Sequence, residues 1–241
     1  MSLNPLALYD RLLRERGDLG ERLKDSREAK HVALAALIAA VLLGAFYGFV
    51  MGAYSMMHGG EPDFAWSSMW KVPVLMVGAT VLTFPVLYVL GLLGGATLSA
   101  ASLSAALCCT LAVVALALGV MGPIVLFFIS TVDAYVMVKF LHVAVWTFAG
   151  LAGLKFLRTL LRSLDPALTG NGRLMAGWML LFGLVGMQGG WMLRPFIGHP
   201  KEQYQHFRQL GGNVFEDLAR DLWRMSRGPV QENPNRSRDD R

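Results

Sequence analysis

One apolar stretch of the chain carries side chains that could do chemistry inside a membrane. Residues 130–153 are apolar enough to cross a bilayer, yet they include Lys139 and His142. A charged group in hydrocarbon costs about 2.5–3.5 kcal/mol on insertion scales, so such groups are rare without a reason. Tyr135, Lys139, His142 and Trp146 recur at helical spacing, which places them on one face of a helix.

Two interpretations of this polar face stay open. In the first, Lys139 and His142 bond with Gln188 and Tyr47 on neighbouring helices, because Gln188 should lie at the depth of Lys139 and Tyr47 near the level of His142. Tyr135 shares the face. The face would then hold the bundle together, and Lys139 would extend towards the outer surface. In the second, the face lines a pocket in which His142 titrates near neutral pH once water reaches it.

The composition indicates a membrane protein with charged flanks. The chain has 241 residues, of which 54% are hydrophobic and 16% are charged, against about 25% charged in soluble domains. Most of the charge lies in residues 1–30 and 194–241. The net charge of +5 is modest and spread over both ends, so we expect no nucleic-acid partner.

Apolar runs of membrane-spanning length occur five times along the chain. We expect crossings at residues 31–57, 72–93, 105–128, 132–154 and 174–192. Pro73, Pro85 and Pro123 should interrupt or kink the second and third of them. The predicted fold class is therefore all-α, a polytopic transmembrane helical bundle with five crossings and amphipathic flanking helices.

The charged residues also predict an orientation and a division of the chain. Lys and Arg are frequent in the N-terminal flank and in the expected loop at 155–173, and they are absent from the expected loops at 58–70 and 129–133. The positive-inside rule then predicts a cytosolic N-terminus and an outside C-terminus. The predicted parts are a cytosolic amphipathic flank at 1–30, the five-helix domain at 31–193, an extracytoplasmic tail with a short helix at 194–227 and a disordered tail at 228–241.

Two further patterns predict packing and docking. Gly44, Gly48 and Gly52 form a G-x-x-x-G-x-x-x-G ridge, which lets two helix backbones approach closely, either inside the chain or across a homodimer. The N-terminal flank has a loose apolar stripe and should lie on the inner membrane surface or dock a partner. In the C-terminal tail, the candidates for docking a partner are Phe215, Leu218, Leu222 and Trp223.

The chain lacks the common signatures of catalysis. It contains no P-loop, no H-E-x-x-H and no C-x-x-C, and no paired carboxylates fall inside a crossing. The adjacent Cys108 and Cys109 point in different directions on a helix, so they are poor disulfide partners. We therefore expect no enzyme, no cofactor and no metal, with membrane lipids and protein partners as the binding partners.

A family resemblance supports the same expectations. The segment Val72–Gly95 (VPVLMVGATVLTFPVLYVLGLLGG), with five crossings and proline-bearing helices, resembles the Yip family of multispanning membrane proteins. The run MLRPFIGHP is similar to uncharacterised bacterial inner-membrane proteins. The resemblance implies a bacterial inner-membrane location and, by analogy with eukaryotic relatives in vesicle trafficking, a role through partners without catalytic residues.

These observations lead to two expected functions. The first is a non-enzymatic accessory or scaffold subunit of a membrane protein complex, because the chain has two amphipathic flanks and no catalytic motif. The alternative is a small channel or transporter that uses the polar face of the fourth helix. Five crossings without an inverted repeat count against the alternative.

Overall fold

The computed structural model describes residues 5–14, 16–132, 134–170, 172–198 and 204. Within this part, the chain forms eight helices and no strand. In chain order they are α1 (Pro5–Arg14), α2 (Arg16–Lys24), α3 (Ser26–Met57), α4 (Asp63–Leu93), α5 (Ala100–Thr131), α6 (Tyr135–Leu164), α7 (Pro166–Gly170) and α8 (Gly172–Leu193). The all-α class is confirmed. The chain divides into two compact units, residues 1–208 and 209–241, and the second unit lies outside the described residues.

Five of these helices, α3, α4, α5, α6 and α8, are long and apolar enough to cross a membrane. Their outer surfaces are apolar as well: Leu82 is 69% exposed, Phe127 64% and Leu151 63%. Such extensive apolar surface is unfavourable in water and is stable against hydrocarbon. The chain is therefore an integral membrane protein with five helices able to span the bilayer, as the sequence predicts.

The helices extend beyond the predicted crossings because apolar runs mark the membrane and not the helix ends. α4 begins at Asp63, so the loop expected at 58–70 shrinks to five residues before the helix starts. α5 begins early because the Ser99 hydroxyl accepts a hydrogen bond from the backbone N–H of Ser102 at 3.1 Å. Neither Pro73 nor Pro85 ends α4, which is continuous through both.

The spanning helices lie in the order α8, α4, α3, α5 and α6, with each packed chiefly on its neighbours in that order. α3 is central, and α8 occupies one edge. Because consecutive spanning helices are antiparallel, the bundle has two distinct ends. We call the end where α3 finishes and α6 begins the Tyr54 end, and the opposite end, where α6 finishes, the Asp165 end.

The glycine ridge of α3 faces α4. A Cβ atom built on Gly48 would overlap the carbonyl oxygen of Ser68, and one built on Gly52 would overlap the backbone of Ala65. Contact this close is possible only between helices that meet without side chains. The ridge is therefore used inside the chain, which is the first of the two roles expected for it.

The N-terminal flank packs on the bundle instead of facing lipid or a partner. Leu8, Leu12, Leu19 and Leu23 are all buried, and α2 lies along the last turns of α6. The sequence predicted that the apolar stripe of this flank faces the membrane surface or a partner, but two of its members, Leu19 and Leu23, are packed inside the chain. The hydroxyl of Tyr9 is also enclosed, and burial raises the pKa of Tyr9 to about 12.

Candidate functional site

The centre of the candidate site is a hydrogen bond between α3 and α6. The Tyr47 hydroxyl and Nδ1 of His142 lie 2.9 Å apart. Tyr47 is fully buried and His142 is 2% exposed. The ring of Trp146 meets Tyr47 edge-on, with 6.2 Å between their centres. The structure thus brings together two of the residues predicted to bond across helices, and they are sealed from solvent.

A second aromatic contact joins the same two helices nearer the Tyr54 end. The rings of Tyr54 and Tyr135 lie 5.8 Å apart. Tyr54 follows Tyr47 by seven residues, and Tyr135 precedes His142 by seven. In antiparallel helices, equal steps of two turns pair both sets of side chains, with about 10.5 Å of helix between the layers.

An apolar layer separates the two aromatic layers. On α3 it contains Val50, which is fully buried, and Met51, which is 7% exposed. On α6 it contains Val138, which is 1% exposed. The polar atoms near Tyr54 and those at His142 are therefore divided by packed hydrocarbon, as in a bundle core and unlike a hydrated path.

The second ring nitrogen of His142 is incompletely satisfied. Its Nε2 atom is buried and has no hydrogen-bond partner among the described residues. Either the Tyr47 hydroxyl donates to Nδ1, or Nδ1–H donates to that hydroxyl, and both tautomers leave Nε2 unmatched. An unmatched buried polar group costs about 1–3 kcal/mol. This nitrogen is the one position at the site where water or a small polar ligand would add a bond.

Two predicted members of the polar face lie elsewhere. The Lys139 ammonium is 5.7 Å from the centre of the Tyr135 ring, and its bond to Tyr47 or Gln188 stays a prediction. A cation at this distance from an aromatic face is attracted to it. Gln188 is exposed on α8, and α8 packs on α4, on the far side of α3 from α6. Similar depth in the bilayer therefore does not bring it near His142.

A polar clamp at the Tyr54 end was not predicted. We call residues 194–198, which follow α8, the strap. Three side chains donate hydrogen bonds to consecutive carbonyl oxygens of the strap: Lys71 Nζ to Pro195 at 3.2 Å, Ser68 Oγ to Phe196 at 2.6 Å, and the Tyr135 hydroxyl to Ile197 at 3.0 Å. The strap thereby connects α4 with α6. The available sequence signal was Lys71, a cation directly before the apolar run that begins at residue 72. In the structure the Lys71 side chain is fully buried.

A carboxylate joins two connections at the Asp165 end. Asp165 accepts hydrogen bonds from the backbone N–H of Thr97 at 2.8 Å and of Ala167 at 3.0 Å, and from the Thr97 hydroxyl at 3.3 Å. Partial burial pushes the pKa of Asp165 upward, but these hydrogen bonds to the charged form outweigh it and hold that pKa below its usual value. Asp165 therefore ties the α4–α5 connection to the end of α6.

The edge helix α8 leaves one face open. Its buried side chains are Met175, Trp178 and Trp191, and the Trp178 indole donates to the carbonyl oxygen of Thr83 on α4 at 3.1 Å. The opposite face carries Gln188 and two glycines. A Cβ atom built on Gly177 or on Gly183 would meet no atom within 4 Å, so these glycines serve no close packing inside the chain.

Metal ligands do not converge in the part of the chain that the structure describes: no group of three or more His, Cys, Asp or Glu side chains there could hold a metal ion. Cys109 is buried and Cys108 is half-buried, and both are free thiols. The predicted docking residues Phe215, Leu218, Leu222 and Trp223 lie outside the described residues. Comparison with family models, curated proteins and solved structures found no match for this chain.

Proposed function

We propose that the protein is a non-enzymatic accessory subunit that binds the transmembrane helix of a partner protein against the open face of α8. The observation that carries this proposal is the amide of Gln188, exposed on a membrane-spanning helix. A polar side chain in a bilayer is commonly satisfied by a hydrogen bond to another helix. The fitting partner is a helix that presents an amide or hydroxyl group at the same depth.

The shape of the open face supports the same role. The Cβ positions of Gly177 and Gly183 are open and lie on either side of Leu180 around the helix. Leu180 is 66% exposed and Leu184 is 44% exposed. Small residues let a second helix approach closely, and the leucines supply van der Waals contact at the sides. In contrast, the polar face at Tyr47 and His142 is already enclosed.

Substituting the two open glycines tests the proposal. Gly177→Leu with Gly183→Leu adds bulk where the chain itself has room, so the protein should fold and lose its partner. The matched control is Gly78→Leu with Gly150→Leu, which also adds bulk into open space, but on α4 and α6. Quantitative mass spectrometry of purified native complexes should find one partner, at stoichiometric level, with the wild type and the control only.

Gln188→Leu provides a second test of the same contact, since it keeps the helix apolar and removes the amide. It should weaken partner retention by about 0.6–2 kcal/mol, the value of a buried hydrogen bond between membrane helices. The proposal is rejected if the α8 glycine variant keeps its partner, or if no protein copurifies stoichiometrically with the wild type.

Membrane location and orientation belong to the same proposal. We place the protein in a bacterial inner membrane, with the N-terminus in the cytosol and the C-terminus outside. Exposed Lys155, Arg158 and Arg162 lie at the Asp165 end, and the positive-inside rule favours that end on the cytosolic side. The tail residues Phe215, Leu218, Leu222 and Trp223 would then form a second docking arm outside.

A small channel or transporter is the second candidate. It is favoured by the unmatched Nε2 atom of His142, which a permeating ion or water could bond. Flux through proteoliposomes that is present in the wild type and absent in His142→Phe would support this candidate. The burial of Tyr47 and His142 and the apolar layer at Val50 and Val138 make it the weaker of the two.

A further inference from the structure

The outer face of α6 changes from apolar to basic along one continuous stripe. Phe148 and Leu151 are 57% and 63% exposed, and Lys155, Arg158 and Arg162 follow them, all exposed. The steps of three and four residues keep all five on one face of the helix. The surface that meets lipid hydrocarbon therefore continues directly into three cations, which we call the basic stripe.

Among the residues that the structure describes, the cations of the basic stripe have no ion-pair partner. The ion pairs of the described residues, Arg14 with Asp10 and Lys24 with Glu21, belong to α1 and α2. The nearest acid along α6, Asp165, is occupied by Thr97 and Ala167. The charges of the basic stripe are thus available to an external anion.

The opposite side of the same helix segment explains why this stripe stays in place. Phe156, Leu157, Leu160 and Leu161 are buried, beneath the docked helix α2. The end of α6 is therefore a rigid amphipathic helix that continues the membrane span. The helix dipole favours cations only in the last turn, so it does not account for Lys155 and Arg158, which lie further back.

The position of the cations matches the lipid headgroup layer. Lys155 lies four residues beyond Leu151, or about 6 Å along the helix, and Arg162 about 10 Å further. The headgroup layer on each side of the hydrocarbon is about 5–8 Å thick. With Leu151 at the edge of the hydrocarbon, Lys155 falls within that layer. The long side chains of Arg158, about 10 Å beyond Leu151, and of Arg162 can reach back towards it.

We infer that the basic stripe, Lys155, Arg158 and Arg162, is a binding site for the phosphate groups of anionic phospholipids in the leaflet at the Asp165 end. Arginine binds phosphate oxygens through paired N–H groups, and lysine adds a point charge. Lipid is favoured over an acidic polypeptide because the stripe continues the hydrocarbon-facing surface of Phe148 and Leu151. Clusters of cations directly beyond a membrane span recognise anionic headgroups in this way.

The test compares lipid binding by the purified full-length protein and two variants. The lipids are dioleoyl phosphatidylglycerol and dioleoyl phosphatidylcholine, titrated in neutral detergent and counted by native mass spectrometry. The test variant combines Lys155→Gln, Arg158→Gln and Arg162→Gln. The matched control combines Lys24→Gln, Arg27→Gln and Lys30→Gln, which remove three exposed cations at the same end.

The wild type and the control should prefer phosphatidylglycerol, and the test variant should lose that preference. Each cation is worth about fivefold in affinity, so the three together give up to about a hundredfold, and added salt should reduce the preference. Lys155→Arg, which keeps the charge, should retain it. The inference is overturned if the test variant binds like the wild type, or if the control loses as much.

Two further arms distinguish other anions. If inorganic phosphate raises the melting temperature of the wild type as much as phosphatidylglycerol does, the site holds a free anion and the lipid assignment fails. If soluble polyglutamate displaces phosphatidylglycerol from the stripe, an acidic polypeptide is the better ligand and the lipid assignment fails as well. Neither result bears on the α8 face, which is tested separately.

Discussion

Adding one methyl group to the glycine ridge should separate α3 from α4. In Gly48→Ala, the new Cβ would overlap the carbonyl oxygen of Ser68 and lie 2.8 Å from its carbon and 3.0 Å from the Cα of Met69. Ordinary contact begins near 3.4 Å, and backbone atoms cannot rotate away as a side chain can. The two helices must therefore move apart by about half an ångström or more, which forfeits a quarter or more of each contact energy across the interface.

The expected loss of stability follows from two opposing effects. Replacing glycine by alanine within a helix is favourable by about 1 kcal/mol, whereas overpacking costs about 1–3 kcal/mol and occasionally more. Because the overlap is with backbone, overpacking should win, and Gly48→Ala and Gly52→Ala should each lose about 1–3 kcal/mol net. Gly44→Ala should lose less than about 1 kcal/mol, because its nearest neighbour is the flexible Met76 sulfur at 3.3 Å.

Unfolding of the purified protein in mixed micelles, titrated with a denaturing detergent, measures these differences. Gly78→Ala on α4 is the matched control, since a Cβ there meets no atom within 4 Å, and it should be neutral or stabilising. Gly48→Ala and Gly52→Ala should unfold at lower denaturant than Gly44→Ala and the control. Equal midpoints for Gly48→Ala and Gly78→Ala would refute the close approach of α3 and α4.

Two other predictions concern polar contacts. Tyr47→Phe should lose about 1–2 kcal/mol of stability, because it leaves Nδ1 of His142 without a hydrogen-bond partner, as Nε2 already is. The double variant Tyr47→Phe with His142→Phe should recover much of that loss, because it leaves no buried polar atom at the contact. Unfolding in denaturing detergent measures both variants, and a double variant less stable than Tyr47→Phe would contradict this prediction. Because the pKa of Asp165 is lowered in the folded state, this residue should contribute stability above about pH 4, and that stability should be lost as pH falls through the lowered pKa. Asp165→Ala should be about 0.5–2 kcal/mol less stable at neutral pH. Its melting temperature should also vary less with pH between about pH 2 and 5 than that of the wild type.

The sequence predicted the five spanning helices because the bilayer imposes a length and an apolar surface that composition reveals directly. Helix ends were less predictable, since they depend on local caps. Ser99 caps α5 ahead of the apolar run, whereas α4 begins at Asp63, well inside the segment expected as a loop, without a side-chain cap. Hydropathy locates the part of a helix inside the membrane, while capping and the chain's own packing decide how far the helix continues beyond it.

The candidate site was only partly predictable, because depth and periodicity do not specify which helices are neighbours. Tyr47 and His142 were placed at one level and do bond. Gln188 was predicted at the depth of Lys139. The order of the helices instead puts it on the far side of α3 from α6, and its side chain is exposed. The N-terminal flank illustrates the same limit. The spacing of Leu19 and Leu23 predicts an apolar face, but it does not say whether lipid, a partner or the rest of the chain covers that face.

The two polar features of the membrane region differ in what a binding partner would have to displace. To reach His142, a partner must break the 2.9 Å hydrogen bond between the Tyr47 hydroxyl and Nδ1 of His142. It must also displace the buried side chains of Val50 and Val138. At α8, Gln188 is already exposed, and the neighbouring glycines already face open space. A helix binding there gains a hydrogen bond and close packing without breaking any contact within the bundle. That difference in cost is why we propose the partner site at α8 and regard the Tyr47–His142 hydrogen bond as a contact inside the bundle.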